Sequence, residues 1–147
     1  MGTIAIPSGT VAYVDANALI YAVEKIAPYA DLLRPFWTAA KSGTARLVSS
    51  ELLIIETLTG PLKSGNRPLV AAYEQIFQSS GIDLSPITAD ILRSGATLRS
   101  TYGLKTPDAI HAATALRAGC SMYLTNDEGF RRVQGIHPII LKDHLIP

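Results

Sequence analysis

The chain has 147 residues, of which 48% are hydrophobic and 17% charged, so it is long enough for one domain with a sizeable core and too apolar for general disorder. The formal net charge of +1 gives no global electrostatic argument for a nucleic-acid partner, although it does not exclude a locally basic groove. The single cysteine, Cys120, excludes an intrachain disulfide and favours a reducing compartment.

The N-terminal segment shows no targeting or membrane signal. No lysine or arginine precedes an apolar run, as a secretory signal requires, and no apolar run approaches the roughly 18 residues that span a bilayer. We therefore expect a cytoplasmic location and no membrane partner. Residues 1–10 are expected to form a leader, followed by a single domain over residues 11–147.

Strand and helix patterns alternate along the chain. Val11–Val14 is a short β-forming run that ends at Asp15, and residues 16–23 follow as a helix. The next helical pattern, from Ala27 to Ser42, contains Pro35, which predicts a kink or two abutting helices. Further strands are predicted over 46–50, 82–87, 121–125 and 137–141, helices over 51–62, 68–78, 90–102 and 106–118, and a helical turn over 128–133. This alternation predicts an α/β fold, a three-layer α/β/α sandwich on a parallel sheet.

Four carboxylates that are far apart in sequence are predicted to meet at one edge of this sheet. Asp15 ends the first strand and Asp127 follows the fourth. Asp108 lies in the first turn of the helix before the fourth strand, and Glu56 lies inside the helix after the second. Helix N-termini and strand C-termini share an edge in such folds, and open α/β sheets bind their ligands there.

Three of these acids also have a purely structural explanation. Asp15 is equally well explained as the cap of the first helix, and Asp127 as the cap of the turn that follows it. Asp108 fits the general preference for acids in a first helical turn. However, Thr106 is expected to cap that helix and Pro107 to occupy its first position, so Asp108 is not needed to start it.

Glu56 is the most informative of the four acids. The segment from Leu52 to Leu58 is apolar on nearly every side of a helical wheel, so Glu56 belongs to no charged stripe. A half-buried carboxylate without a partner would raise its own pKa or destabilise the fold, and a metal ion or a basic partner would resolve that cost. An exposed glutamate selected for helix propensity is the less favoured alternative.

Such a cluster of acids predicts a metal site. Four neighbouring carboxylates stay ionised together only if a cation offsets their repulsion. All-oxygen donors suit Mg²⁺ or Mn²⁺, and the sequence lacks a Cys or His set spaced for zinc. An ion of this kind binds phosphate oxygens and activates a water, so the implied reaction is phosphodiester hydrolysis.

Four segments in this order resemble those of PIN domains, and in particular the small stand-alone VapC-type toxins. They are the strand that ends at Asp15-x-Asn17, the run Ser49-Ser50-x5-Glu56, the helix Thr106-Pro107-Asp108-Ala109-Ile110-His111, and the run Leu124-Thr125-Asn126-Asp127. The resemblance covers residues 11–142.

The resemblance implies a Mg²⁺- or Mn²⁺-dependent endoribonuclease on a parallel sheet of about five strands. Asp15, Glu56, Asp108 and Asp127 match the family's four acids. Asp15 and Asp108 would be the most direct metal ligands, Asp127 would bind the ion directly or through water, and Glu56 would orient ligands or water. The resemblance also implies a homodimer and a cognate antitoxin whose tail covers the acidic pocket.

Residues near the acids would have supporting roles. Asn17 and Thr125 would orient the ligands, and Arg131 and Arg132 are candidates for RNA phosphate contacts, with a solvated turn as an equally good alternative. His111 shares a helix face with the acid three residues before it, which allows a metal ligand or general acid. We favour the simpler interpretation, a helix-face histidine without chemistry.

Two other functions remain open. A haloacid-dehalogenase-type phosphatase also begins with an aspartate at a strand end, but it requires a second aspartate where this chain has Asn17 and a lysine that Leu124–Asp127 lacks. A non-catalytic PIN-like module would bind RNA or a protein without cutting it. Missing acids would favour such a module, but none is missing.

Overall fold

The computed structural model describes residues 2–79 and 81–145 and places a five-stranded parallel sheet among six α-helices. The predicted α/β class and the parallel sheet are therefore confirmed. The strands are β1 (Thr10–Val14), β2 (Ala45–Ser50), β3 (Asp83–Ser85), β4 (Met122–Thr125) and β5 (Pro138–Ile140). The helices are α1 (Ala16–Val23), α2 (Tyr29–Ser42), α3 (Leu52–Ser64), α4 (Arg67–Gln78), α5 (Ala89–Tyr102) and α6 (Thr106–Arg117). Two 3₁₀ helices cover Glu128–Arg132 and Leu141–His144.

The order of the strands is β3-β2-β1-β4-β5, which puts β1 at the centre of the sheet. Tyr13 of β1 pairs in parallel with Val48 of β2 and with Tyr123 of β4. Because the strands are parallel, all their C-terminal ends lie at one edge. The residue after β1 is therefore flanked at this edge by the ends of β2 and β4.

Alternate residues of β1 face two different hydrophobic clusters. Ala12 and Val14 pack in the cluster that contains Leu19 of α1 and Phe36 of α2. Tyr13 packs in a second cluster with Ala112 of α6. Successive side chains of a strand point to opposite faces, so the sheet is covered on both sides, as expected for an α/β/α sandwich. Ile4, from the predicted leader, joins the first cluster.

Helix α2 contains the proline that was expected to kink the helix or to divide it in two. It runs from Tyr29 to Ser42 as one helix with Pro35 inside it, so the expectation of two abutting helices is wrong. Leu32, Leu33 and Phe36 are buried on both sides of the proline. Tertiary packing of this apolar face holds the helix together despite the backbone hydrogen bond that proline removes.

The start of α6 also differs from the prediction. Lys105 precedes the helix and its side chain makes no capping hydrogen bond, while Thr106 and Pro107 lie within the first turn. The Thr106 hydroxyl instead accepts a hydrogen bond from Arg99 Nη1 at 2.9 Å. The predictions that Thr106 caps the helix and that Pro107 takes its first position are therefore wrong by one residue, because Thr106 itself already has helical backbone geometry.

The helices are short, with at most 14 residues in α2 and α5. Over the ranges that the structure describes, no helix combines the length and apolar character needed to cross a membrane.

Candidate functional site

Asp15 lies at the C-terminal end of the central strand, and it is both a helix cap and the centre of a polar network. It is only 6% exposed. Oδ1 accepts a hydrogen bond from the Ala16 N–H at 2.8 Å, at the start of α1. Oδ2 accepts from the Thr125 hydroxyl at 2.7 Å and from Asn17 Nδ2 at 3.3 Å. A carboxylate has about four acceptor positions, so Asp15 retains capacity for a further partner.

Asn17 and Thr125 hold the segment after β4 against Asp15. Asn17 Nδ2 also donates to Thr125 Oγ1 at 3.3 Å, and Asn17 Oδ1 accepts the N–H of Asn126 at 3.1 Å. Thr125 Oγ1 accepts the N–H of Asp127 at 3.0 Å. Asn17 and Thr125, which were predicted to support the acids, therefore link Asp15 to the backbone of the segment that contains Asp127.

Asp127 and Asp108 each lie at the N-terminal end of a helical element. Asp127 Oδ1 accepts the N–H of Gly129 at 2.8 Å and so caps the first 3₁₀ helix, as its structural explanation required. Asp108 lies half-buried in the first turn of α6.

The acids influence one another electrostatically. Burial raises the pKa of Asp108, and the negative charges of Asp127, Asp15 and Glu56 raise it further, against an opposing effect of His111. Burial likewise raises the pKa of Asp15, with Glu56 adding to the rise and His111 and hydrogen bonds opposing it. The negative charges of all four predicted acids thus contribute to one electrostatic field at one edge of the sheet.

His111 lies among these acids, and sequence reasoning undervalued it. It is 1% exposed, with Nε2 at 2.6 Å from Glu56 Oε1 and at 3.9 Å from Asp15 Oδ1. Nδ1 lies 2.6 Å from the Tyr13 hydroxyl. The interpretation favoured from the sequence, a helix-face histidine without chemistry, did not anticipate these buried partners. The available signal was the apolar run Ala109–Ala115, in which a histidine must find polar partners once the helix is buried.

Glu56 has the basic partner that its apolar surroundings required. Its side chain is 26% exposed and hydrogen-bonded to His111. Burial lowers the pKa of His111, but the hydrogen bond with Glu56 and the charges of Asp15, Glu56 and Asp108 outweigh it and raise the pKa overall. The histidine therefore offsets part of the acidic field.

The donor chemistry of the site fits a hard divalent cation in an open arrangement. Across residues 2–79 and 81–145, no three His, Cys, Asp or Glu side chains are grouped closely enough to hold an ion between them. Mg²⁺, however, keeps several waters and is usually bound through one or two carboxylates. Burial is the main cause of the raised pKa values of Asp15 and Asp108, with repulsion from neighbouring carboxylates adding to it, and a bound cation would offset both effects.

The two arginines selected for RNA contacts follow Asp127 in the first 3₁₀ helix, and their surroundings differ. Arg131 forms ion pairs with Asp143 and with Glu128, the latter at 3.4 Å. Arg132 is exposed. The charge of Arg131 is thus largely compensated within the protein.

Comparisons with known proteins agree with this geometry. The sequence profile of the PIN domain matches residues 12–136. The crystal structure of VapBC2 from Rickettsia felis bound to a DNA fragment from its promoter aligns with a TM-score of 0.69 and 18% identity, over 88% of this chain and 98% of that chain. A toxin–antitoxin complex from Klebsiella pneumoniae aligns with a TM-score of 0.65 and 21% identity, over 87% and 95%. At these identities the structural likeness concerns the fold. Comparison with curated proteins gives no significant match.

Proposed function

The chain belongs to the PIN domain family, and from this premise we propose that it is a divalent-metal-dependent endoribonuclease. The observation that carries the proposal is the shared field of Asp15, Glu56, Asp108 and Asp127 at the C-terminal edge of the sheet. A set of acids that repel one another favours a divalent cation, and RNA phosphodiesters are substrates that such a cation can activate.

Each of the four acids has its own role in this proposal. Asp15 and Asp108 would hold Mg²⁺ or Mn²⁺, Asp127 would bind it directly or through water, and Glu56 would orient a ligand or water. When bound, the ion supplies phosphate binding and a water of lowered pKa. Hydrogen bonds from Thr125 and the rest of the network fix the Asp15 carboxylate in advance, so it does not reorganise during the reaction.

We further propose that the protein is the toxin of a toxin–antitoxin pair. Two solved structures with the same fold are a VapBC assembly and a toxin–antitoxin complex, which supports a cognate antitoxin as partner. An antitoxin segment that covers the acidic edge would exclude RNA from it. The cytoplasmic location expected from the sequence stays a prediction.

A homodimer belongs to the same proposal. Helix α3 exposes two large apolar side chains one heptad apart, Ile55 at 65% and Leu62 at 63%. Residues seven apart lie on one face of a helix, so a second copy packed there would bury both. Light scattering should then give a dimer mass for the wild type and a monomer mass for Ile55→Lys. A variant that stays dimeric while losing antitoxin binding would assign this face to the antitoxin instead.

The decisive experiment compares RNA cleavage by the wild type and by Asp15→Asn, with Mg²⁺ or Mn²⁺ and with EDTA. We expect cleavage that requires the divalent ion and falls about 100-fold or more in the variant. Asp31→Asn, which removes an exposed acid from α2, is the matched control and should cleave like the wild type. Equal cleavage under all conditions would contradict the proposal.

A non-catalytic module is the second candidate, favoured by the lack of a three-ligand cage in the described part of the chain. Calorimetry that shows RNA or antitoxin binding without divalent-ion binding would support it. A phosphatase is less well supported, because an amide, Asn17, stands two residues after Asp15. Release of phosphate from a small phosphomonoester would revive that alternative.

A further inference from the structure

We propose that Tyr13 and His111 are positioning residues, a buried hydrogen-bonded chain that fixes the Glu56 carboxylate at the acidic edge. The inference rests on the proposed function, since it deepens the role of Glu56 in that site. It assigns a role to the one histidine that lies inside the acidic cluster.

The chain joins three elements that are far apart in sequence. The Tyr13 hydroxyl of β1 lies 2.6 Å from Nδ1 of His111 in α6, and Nε2 of His111 lies 2.6 Å from Oε1 of Glu56 in α3. Tyr13 and His111 are buried, and their rings meet edge to face with centroids 5.6 Å apart. Both hydrogen bonds are short, so both nitrogens of the ring are held by close partners.

The acceptor at one end of this chain fixes where the ring of His111 carries a proton. The Glu56 carboxylate can only accept, so the hydrogen bond at Nε2 is donated by His111. At Nδ1 the Tyr13 hydroxyl can either donate to a neutral ring or accept from a charged one. In both cases Tyr13 holds the ring with its Nε2–H directed at the carboxylate.

Glu56 needs such an anchor because its neighbours in α3 face solvent. Ile54 and Ile55 are both exposed, and Glu56 itself is only partly covered. A glutamate side chain at such a border has many accessible rotamers and loses entropy when it is held in one. The hydrogen bond from the buried His111 selects the rotamer that keeps the carboxylate at the acidic edge.

Tyr123 provides a matched control within the same core. Its ring stacks on that of Tyr13 with centroids 4.9 Å apart and an interplanar angle of 10°, and both residues are fully buried. Over the described ranges the Tyr123 hydroxyl has no hydrogen-bond partner. Tyr13→Phe and Tyr123→Phe thus remove the same atom from neighbouring rings, but only the first removal breaks the chain.

The first test is nuclear magnetic resonance of the metal-free protein at a fixed pH. We expect Nε2 of His111 to carry a proton, its Nδ1 signal to shift in Tyr13→Phe, and the Glu56 carboxyl carbon signal to shift in both Tyr13→Phe and His111→Leu. Tyr123→Phe should leave these signals in place. The proposal would be overturned if the His111 and Glu56 signals do not shift in Tyr13→Phe, or if they shift equally in Tyr123→Phe.

The second test is Mn²⁺ binding measured by calorimetry. Residues that orient ligands typically affect metal affinity about 10-fold or more, so His111→Leu should weaken binding by about that factor. His111→Gln, whose amide can still donate to Glu56, should restore most of the affinity. In a Glu56→Gln background, His111→Leu should have less than about a twofold further effect, because the group to be positioned is gone.

These tests separate the inference from the proposed function. A wild type that neither cleaves RNA nor binds Mn²⁺ would end the nuclease proposal, while the resonance experiment would still decide whether the chain holds Glu56. A wild type that cleaves RNA and binds Mn²⁺, with His111→Leu unchanged in both and merely less stable, would overturn the positioning role alone.

Discussion

The Thr125 hydroxyl donates a hydrogen bond to Asp15 Oδ2 at 2.7 Å and joins the C-terminal ends of two adjacent strands across 110 positions of sequence. The same oxygen accepts the N–H of Asp127. One buried hydroxyl therefore sets the position of two of the four acids.

Thr125→Val tests this linkage at nearly constant volume. The change leaves a buried carboxylate oxygen and a backbone N–H without their shared partner, and the expected cost is about 1–3 kcal/mol of unfolding free energy. We also expect weaker Mn²⁺ binding and about 10-fold slower cleavage. Thr57→Val is the control, since the Thr57 hydroxyl is also buried but donates only to Leu53 within α3. Equal effects of the two substitutions on Mn²⁺ affinity would contradict the linkage.

Asp108→Asn should stabilise the metal-free protein while abolishing its activity. Burial disfavours the charge of Asp108, and the charges of Asp127, Asp15 and Glu56 oppose it further, so asparagine removes both costs with little change of shape. We expect the melting temperature to rise by about 2–4 °C, which corresponds to about 1 kcal/mol in a domain of this size. Thermal melts in EDTA measure it, and a lower melting temperature would argue against a repulsive site.

The stability advantage of Asp108→Asn should also depend on pH. Burial and the neighbouring carboxylates raise the pKa of Asp108, so the folded chain holds this proton more tightly than the unfolded chain does. Stability from such a group is fully present below its unfolded pKa of about 4 and is lost as pH rises through the folded value. The difference in unfolding free energy between Asp108→Asn and the wild type should therefore increase above about pH 4 and become constant above the folded pKa of Asp108. Denaturant unfolding of both proteins over a pH series measures this difference.

The position of the acids at one edge of the sheet could be predicted from the sequence, because the backbone topology determines it. Asp15 and Asp127 each follow a strand, and parallel strands bring those positions to one edge whatever the side chains do. The helix-capping explanation of Asp15 is compatible with a place in the site, because Asp15 caps α1 with one oxygen and accepts a hydrogen bond from Thr125 with the other. Capping and site formation do not exclude each other, because a carboxylate has enough acceptor positions for both.

The role of His111 could not be read from its own helix. Its partners come from β1 and α3, 98 and 55 positions away, so its hydrogen bonds depend on the packing of three elements. The prediction of a Thr106 cap was wrong for a similar reason, since the Thr106 hydroxyl contacts Arg99 of the preceding helix and Lys105 precedes α6. Both errors arise where tertiary contacts override a local preference.

Arg131 and Arg132 should contribute unequally to RNA binding. Arg131 is paired with Asp143 and Glu128, so its contact with a phosphate would first cost those ion pairs, whereas Arg132 is exposed. We expect Arg132→Ala to weaken RNA binding several-fold and to lower the salt dependence by about one released counterion, with a smaller effect of Arg131→Ala. Fluorescence titrations at several salt concentrations measure both quantities. Equal losses, or a larger loss for Arg131→Ala, would show that the ion pairs open when RNA binds.

Divalent-ion binding itself should become tighter as pH rises. The pKa values of Asp15 and Asp108 are raised, so protons compete with the cation for these oxygens over a wider pH range than at ordinary carboxylates. From a pH below to a pH above the raised pKa values of Asp15 and Asp108, we expect Mn²⁺ affinity to increase by up to about tenfold per pH unit for each proton displaced, and then to become constant. Calorimetry in two buffers of different ionisation enthalpy counts the released protons directly. Asp108→Asn removes one of the competing groups, so any residual binding by this variant should release fewer protons. An affinity that is the same at both pH values would mean that the cation binds away from the buried acids, and would remove Asp15 and Asp108 as its ligands.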